Sequence, residues 1–570
     1  MLSKKIYFVH FILIVFLFIS IQKTYAMQRE AAYLQTDREV YIAGESVFYK
    51  LCMIQPETKL TSELSKIGYI VLRNTQSNHV LQLRVAIDKG VSIGSFLLPD
   101  TLSSGVYQLI AFSNLMRNSS ENSLFRKNLI IANRQDKEFN FREVNNVKIA
   151  PDTTNLNRFD LFTDKQEYGT REKVILNLGK DKGHLAVTVY EDPQMTLSNK
   201  NITESLADFI PYTIDRNKMD FLVENRGKVI RGKVINIETQ KPIQHVVVLL
   251  SCLDSIANLQ YQTTDENGCF QMLLSDYYDG KELFFVVKGG SVNEKYKIEL
   301  EDKFILNQDW KPLLSGVNNF QNFIARSAQL VYINNCYNLE SSLSTSYLNK
   351  ENEICPKVYN CDVSTVYPAD YVSLKDFPEI VVELLPKARI INHNNKYSIH
   401  LINSAISSPF QKEPAIFLDG VFVDDINKII GMGSDKIARI DLVDTERVFG
   451  DIVFQGIISI TTKSKEVLRL TPSLGGLRIK NDTVNTGKKF TLINPVGIPG
   501  KTTPYFRQLL YWNPDVFCGK TNTIVEFFTS DHVATFIIKV EGLTEEGKPV
   551  FETKRIKVIN KNNNENINLS

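Results

Sequence analysis

Short apolar runs that alternate with clusters of turn residues predict a mainly β protein. In the first part of the chain the runs recur at intervals of roughly ten residues, a spacing typical of an antiparallel β-sandwich. They lie at 46–51, 68–72, 80–87, 95–98 and 106–112. Four further runs follow residue 470, at 490–493, 523–528, 534–541 and 550–558. Both regions therefore predict sandwiches.

A denser pattern of apolar runs occupies residues 414–463. The run 416–418 leads into Asp419-Gly420 and then into 421–423, and Asp-Gly between two apolar runs predicts a hairpin with a type I′ turn. A short helical segment is predicted at 426–430, followed by two β-branched runs, 437–443 and 452–462. The order strand, turn, strand, helix, strand, strand predicts a compact α+β unit.

Two helical patterns interrupt the β rhythm between residues 301 and 395. Apolar residues within 320–337 recur at helical spacing, and 377–385 predicts a second short helix with Pro378 in its first turn. We therefore expect a helical insert or linker over 301–395.

The α+β stretch carries a resemblance to a known family. Its apolar-Asp-Gly-Val element and the later Gly-Ile-Ile-Ser-Ile-Thr-Thr-Lys resemble the end of the plug domain of TonB-dependent outer-membrane transporters. In that family a barrel of 22 strands follows the plug and needs well over 200 residues. Only about 107 residues follow Lys463. The resemblance therefore implies a plug-like α+β domain at 396–466 with no pore of its own.

Residues 36–51 and 98–112 resemble parts of a macroglobulin-type domain, through Tyr-x-x-Gly-Glu-x-Val and Pro-Asp…Ser-Gly-x-Tyr. The first pattern recurs with identical spacing, since Asp37, Tyr41, Glu45 and Val47 are matched by Asp164, Tyr168, Glu172 and Val174. Such a repeat is typical of arrays of similar domains. We expect one macroglobulin-type sandwich at 27–135 and a second macroglobulin-like sandwich at 150–222.

Two further segments resemble accessory modules. In 226–300, the Lys241-Pro242 turn and the turn at 265–268 resemble a carboxypeptidase regulatory-like sandwich, a domain without catalysis. Residues 470–558 resemble the terminal immunoglobulin-like sandwich of the same composite proteins. The polar segment 559–570 is predicted to be a disordered tail.

The N-terminus has the pattern of a signal peptide. Lys4 and Lys5 precede an apolar run at 6–21, and small residues favour cleavage between Ala26 and Met27. The alternative is an uncleaved anchor helix, for which this run is short. Segment 1–26 thus predicts export, to a periplasmic or outer-membrane-associated location, with no transmembrane span in the mature chain.

Charge and cysteine content exclude some classes of partner and leave the redox state open. The net charge of +2 argues against a nucleic-acid partner. Seven cysteines are too few to form the framework of an exported chain of this size. Cys252 could pair with Cys269, and Cys355 with Cys361; buried thiols are the alternative.

Motifs for chemistry are missing or misplaced. There is no His-Glu-x-x-His zinc motif and no phosphate-binding glycine loop, so we expect no enzyme, no metal and no cofactor. Gly-x-Ser-x-Gly occurs around Ser92, but a strand and a proline follow it, which indicates a turn. Asp419, Asp424 and Asp425 lack the spacing of a calcium loop and fit turn and cap roles.

These observations favour a non-enzymatic cell-envelope scaffold or binding protein. The resemblance implies a protein partner in the outer membrane or the TonB system. One alternative is a macroglobulin-like protease inhibitor without a thioester, since the Cys-Gly-Glu-Gln segment is absent. A second is a glycan-binding accessory protein, against which there are only two tryptophans, Trp310 and Trp512, and no clear aromatic platform for stacking on sugars.

Overall fold

The computed structural model describes most of the chain. Its described residues are 29–76, 79–136, 159–194, 196–197, 199–209, 220–253, 258–275, 278–288, 296–304, 310, 314–315, 320–337, 363–394, 396–470, 476–481, 490–492, 495, 503–519 and 521–560. Strands dominate these residues, as the sequence predicts. Contacts divide the chain into two compact units. Unit 1 comprises the described residues within 1–225, 304–349 and 484–570, and unit 2 those within 226–303 and 350–483.

The strands are, in chain order, β1 Ala31–Thr36, β2 Val40–Ile42, β3 Ser46–Ile54, β4 Ile67–Arg73, β5 His79–Ala86, β6 Val91–Leu97, β7 Gly105–Phe112, β8 Phe125–Ala132, β9 Leu161–Thr163, β10 Glu167–Tyr168, β11 Lys173–Leu178, β12 Gly183–Glu191, β13 Thr196–Leu197, β14 Lys228–Asn236, β15 Val247–Cys252, β16 Leu259–Thr263, β17 Cys269–Leu274, β18 Glu282–Lys288, β19 Tyr296–Leu300, β20 Leu314–Ser315, β21 Ser364–Val366, β22 Ala388–His393, β23 Lys396–Asn403, β24 Ser408–Pro409, β25 Ala415–Leu418, β26 Val421–Val423, β27 Ile437–Phe449, β28 Ile452–Thr462, β29 Leu477–Lys480, β30 Leu509–Cys518, β31 Thr523–Phe528, β32 Thr535–Thr544 and β33 Pro549–Val558. The α-helices are α1 Ile202–Ala207, α2 Phe320–Cys336, α3 Phe377–Leu384 and α4 Val467–Leu470.

The first sandwich of unit 1 is built from strands β1 to β8. One sheet has the order β1-β3-β6 and the other β2-β8-β7-β4-β5. Buried side chains of both sheets, among them Tyr49, Leu51, Tyr69 and Leu109, form a continuous core between them. Burial of apolar surface on this scale is the main stabilising contribution to such a fold.

The repeated motif makes the same hydrogen bonds in both of its copies. The Tyr41 hydroxyl donates to Asp37 at 2.8 Å, and Tyr168 donates to Asp164 at 2.7 Å. The same two aspartates accept from the backbone N–H of Phe48 and of Ile175, at 2.8 and 2.9 Å. Glu45 and Glu172 likewise accept from the backbone N–H of Ile42 and Gly169. The spacing of the motif is therefore that of a hydrogen-bonded turn between two strands.

The second sandwich of unit 1 combines strands from distant parts of the sequence. Its sheets have the orders β10-β33-β32-β12-β30 and β31-β11-β9, so segments 161–191 and 509–558 share both sheets. The sequence predicted separate sandwiches at 150–222 and 470–558; the structure instead has one sandwich built from both. In it, β12 pairs with β30 on one side and with β32 on the other.

Unit 2 contains a third sandwich, with sheets β17-β14-β19 and β16-β15-β18-β29. Its last strand, β29, pairs antiparallel with β18, although the α+β domain lies between them in sequence. In sequence, the segment that carries α2 and the α+β domain therefore both lie between two strands of this sandwich, β19 and β29.

The predicted helical insert at 301–395 is divided between the two units. Helix α2 belongs to unit 1, where Ile324 and Val331 pack with Val40 and Ile42 of β2. Helix α3 belongs to unit 2, with Asp376 as its N-cap and Pro378 in its first turn. Both helices form where their sequence patterns predicted them, but they do not form one domain, because each buries its apolar face on a different core. No helix among the described residues is both long and apolar enough to span a membrane.

Candidate functional site

A hairpin centred on Asp419 and Gly420 forms one edge of the sheet of the α+β domain. The backbone φ angles are +50° at Asp419 and +85° at Gly420, as a type I′ turn requires. Leu418 and Val421 pair across the turn, and β25 then pairs in parallel with β28. The full sheet has the order β21-β27-β28-β25-β26.

The Asp419 carboxylate has a structural role. It is 2% exposed, and it accepts hydrogen bonds from the backbone N–H and the hydroxyl of Thr462, both at 2.7 Å, and from the N–H of Val467 at 3.3 Å. These bonds tie the turn to the end of β28 and to the start of α4. Its oxygens are thus occupied by protein donors.

Of the two following aspartates, Asp425 takes the N-cap role that the sequence favoured for one of them, and Asp424 forms an ion pair. Asp425 is the N-cap of a 3₁₀ helix, Ile426–Lys428, and accepts from the N–H of Asn427 at 2.9 Å. Asp424 forms an ion pair with Lys428 at 2.6 Å. Within the described ranges, no cluster of three or more His, Cys, Asp or Glu side chains is placed to bind a metal.

Both faces of the α+β sheet are covered within unit 2. On one face Ile440 and Ile458 pack with Ile380 and Val381 of α3. On the other, Phe417 packs with residues of the neighbouring sandwich sheet, including Leu249 and Val286. The backbone N–H of Phe422 also donates to the Ser251 hydroxyl at 3.2 Å. With both faces buried, the strand edges and the longest hairpin are the parts of the domain open to a partner.

That hairpin consists of β27 and β28 and is longer than the sequence predicted. Gly450, with φ +59°, and Asp451 form a two-residue loop between the paired residues Phe449 and Ile452. On the outer side of β27, strand β21 covers only residues 440–442. In the described part of the chain no strand pairs with 445–449 on that side.

The tip of the hairpin has one packed face and one exposed face. On the packed face, the rings of Tyr261 and Phe449 lie 5.6 Å apart, and the N–H of Asp451 donates to the Tyr261 hydroxyl at 2.8 Å. On the opposite face, Val448 and Val453 form a cross-strand pair and are 71% and 47% exposed. The tip is therefore held in place while it presents an apolar pair to solvent.

The base of the hairpin is fixed by a polar clamp around Asp444. Lys387 forms an ion pair with this carboxylate, the Ser404 hydroxyl donates to it at 2.6 Å, and the Ser404 N–H donates to the Asp444 carbonyl at 3.1 Å. Burial alone would raise the pKa of Asp444, but the bonds from Lys387 and Ser404 outweigh it and hold the pKa below its usual value. The charged clamp keeps the open edge of β27 in a defined position.

The remaining candidate residues do not add to this site. Cys252 ends β15 next to Asn258, whereas Cys269 begins β17 in the other sheet, beyond the opposite end of β16; the two thiols form no disulfide. Ser92 lies within strand β6, with no helix after it. Ala26, Met27, Cys355 and Cys361 lie outside the described residues.

The sequence interpretation missed the extension of β27 through residues 444–449. Gly450-Asp451 between two apolar residues was the available signal, because glycine in the first loop position favours a type II′ hairpin. The polar residues 444–447 concealed it, since they break the run of β-branched residues.

Comparison with known proteins gives weak structural likenesses and no family. No protein-family model matches the chain, and no curated protein matches it. Elastase-activated alpha-2-macroglobulin of Escherichia coli is 8% identical with a TM-score of 0.24, covering 93% of this chain and 44% of its own. Its native conformation is 7% identical with a TM-score of 0.23 and coverages of 94% and 40%. Methylamine-reacted Salmonella alpha-2-macroglobulin is 8% identical, with a TM-score of 0.23 and coverages of 93% and 39%. The chain thus spans less than half the length of these structures.

Proposed function

We propose that the protein is a non-enzymatic scaffold or binding protein of the cell envelope, and that its α+β domain binds an outer-membrane or TonB-system protein. One observation carries the proposal: the edge of β27 at 445–449 is open beside an exposed apolar pair. A partner segment in extended conformation would add to this edge as a further strand.

The register of the hairpin determines which backbone groups face the partner. Phe449 and Ile452 flank a two-residue loop, so they exchange both of their backbone hydrogen bonds. Because the direction alternates along a strand, the N–H and C=O groups of Val448 and Glu446 point away from β28. These groups supply the hydrogen bonds of an added strand, and Val448 supplies apolar contact.

Natural sheets protect open edges with charges, prolines or short strands, since an unprotected edge promotes association. Residues 445–449 contain one acidic and one basic residue and no proline. The edge is therefore partly protected against self-association and remains able to accept a chosen partner. The envelope location belongs to the same proposal and is supported by the signal-peptide pattern at 4–26.

Site-specific photocrosslinking in intact cells of the source organism tests this proposal. A photoreactive amino acid replaces Val448 at the open edge in one full-length variant. In the matched control it replaces Val382, which is 68% exposed on α3 of the same domain. We expect a discrete adduct with an outer-membrane or TonB-system protein from position 448 and none from position 382.

Other results would contradict the proposal. Equal labelling from both positions would mean nonspecific proximity, and the absence of any adduct from position 448 would remove the edge as a binding site. Adducts with secreted proteases would instead favour the inhibitor alternative.

A further inference from the structure

A polar cavity of about 320 Å³ lies in unit 1, where the two sandwiches and the segment preceding α1 meet. Its lining is rich in positive charge. Four cationic side chains contribute to it: Lys127, Lys200, Lys539 and Arg555. Of these, Lys200 and Arg555 also pair with Asp208 and Asp192 beside the cavity, at 2.8 and 2.9 Å. Only two carboxylates, Glu39 and Glu541, lie in the same lining.

Two of the lysines are buried, which is costly unless their charge is compensated. The side chains of Lys127 and Lys539 are 7% and 8% exposed. Lys127 lies 3.3 Å from Glu39, and Lys539 lies 3.1 Å from Glu541. The carboxylates thus compensate the buried lysines one for one.

Glu541 also makes a hydrogen bond within the protein. It accepts a hydrogen bond from the Tyr33 hydroxyl at 2.9 Å. Burial alone would raise the pKa of Glu541, but Lys539 and Lys127 hold it below its usual value, so the group is ionised at neutral pH. The pKa of Lys127 is lowered by burial and by the charge of Lys539. A further negative charge in the cavity would relieve this repulsion.

Donors remain after these pairs are formed. Each ammonium has three N–H donors, and one carboxylate does not use all of them. The Tyr190 hydroxyl, which also lines the cavity, has no hydrogen-bond partner among the described residues. Lys554 does not add a charge to the cavity, because it alternates with the cavity residues Thr553 and Arg555 along β33, and its ammonium is 5.9 Å from the centre of the Phe162 ring of the other sheet.

We propose that this cavity binds a small anion carrying two or more carboxylate or phosphate groups. Its volume is at the lower end of the range of small-molecule sites. The buried cations are lysines, which act as point charges and do not impose the planar two-point geometry of arginine. The site therefore recognises a ligand by its negative charge and its size, and small carboxylates and phosphates both meet these two requirements.

Isothermal titration calorimetry on the full-length protein tests the proposal, with citrate as the carboxylate probe and pyrophosphate as the phosphate probe. Sucrose is the neutral control, and all titrations are made at matched ionic strength. We expect saturable binding of citrate, pyrophosphate or both, and none of sucrose. Affinity should fall as sodium chloride is raised, because the attraction is between charges.

Three variants locate the binding. Tyr190→Phe keeps the ring and removes one donor, and Lys200→Gln removes one charge at the cavity. We expect each to weaken binding by about fivefold, the effect of losing one good hydrogen bond. Lys180→Gln changes an exposed lysine of unit 1 outside the cavity lining and should leave affinity unchanged.

Two results would overturn the proposal. One is that neither citrate nor pyrophosphate gives heat of binding at millimolar concentration. The other is binding that all three variants weaken equally, or that none weakens. Both cavity variants change side chains that are not fully buried, so we expect both to fold. Their unfolding midpoints, measured beside that of the unaltered chain, show whether a loss of affinity comes from misfolding.

Discussion

Asp37 and Asp164 occupy the same position in a repeated motif and accept the same hydrogen bonds, but their surroundings differ. Asp37 is fully buried, whereas Asp164 is exposed. Burial raises the pKa of Asp37 to about 6, although Arg38 and bonds from Tyr41 and Phe48 oppose the rise. At Asp164 burial would also raise the pKa, but the hydrogen bonds outweigh it and lower the value. The sequence predicted the repeat from spacing; it could not predict the burial, which depends on distant strands.

Replacing Asp37 by Asn should produce a pH-dependent gain in relative stability. The folded protein holds the Asp37 proton more tightly than the unfolded chain, so the unaltered protein loses stability as pH rises from about 4 to about 6. Asp37→Asn lacks this loss. The variant should therefore gain up to about 3 kcal/mol relative to the unaltered chain between pH 4 and pH 7, measured by denaturant unfolding at each pH.

Asp164→Asn is the matched control for this prediction. Its lowered pKa means that the contribution of Asp164 is fully present above the unfolded value of 3.8 and is lost only as pH falls below it. The stability difference between this variant and the unaltered chain should therefore be constant from pH 5 to pH 7. The same pH profile for both variants would show that burial does not separate the two copies of the motif.

At the scale of elements, the α+β domain was predictable where its signals are local. The Asp419-Gly420 turn, helix α3 and the N-cap of 3₁₀ helix Ile426–Lys428 all depend on neighbouring residues, and all form as predicted. The open edge of β27 was not predicted, because it depends on how little of that strand β21 covers. The sequence thus predicted the Asp419-Gly420 hairpin, and it did not indicate the edge of β27 that carries the proposed site.

Gly456 lies at the register shift of the β27–β28 hairpin, and replacing it should lower the free energy of unfolding. Asp444 and Thr445 of β27 stand opposite this one residue of β28, where the register shifts. Its φ is +89°, and an added Cβ would lie 2.5 Å from Leu401 Cδ1 and 3.0 Å from the Val443 carbonyl oxygen. Gly456→Ala should therefore destabilise unit 2 by about 2–3 kcal/mol in denaturant unfolding.

Gly431→Ala is the control in the same domain. Nothing lies within 4 Å of its added Cβ, and its φ is not in the left-handed region. We expect a change within about 0.5 kcal/mol. If the two alanine variants had equal stability, the register shift would not require glycine.

At the scale of the whole molecule, the chain is discontinuous in both units. The second sandwich of unit 1 takes strands from 161–191 and 509–558, and the third sandwich takes β29 after the α+β domain. Apolar runs predicted β31, β32 and β33, at 523–528, 534–541 and 550–558, but not β9, β10, β11, β29 or β30. They could not predict pairings between residues more than 300 positions apart, because the pattern of one strand is compatible with many neighbours.

Removal of all residues after Asn481 should therefore damage a part of the protein far earlier in sequence. β12 would lose both neighbours, β30 and β32, and buried residues such as Val187 and Val189 would be exposed. In limited proteolysis followed by mass spectrometry, we expect cleavage within 161–191 and continued protection of the strands of unit 2, which retains β29. A chain ending at Asn560 keeps every strand of the described residues and should show the protection of the full-length protein. Resistance of 161–191 in the chain ending at Asn481 would mean that this segment forms a sandwich without the C-terminal strands.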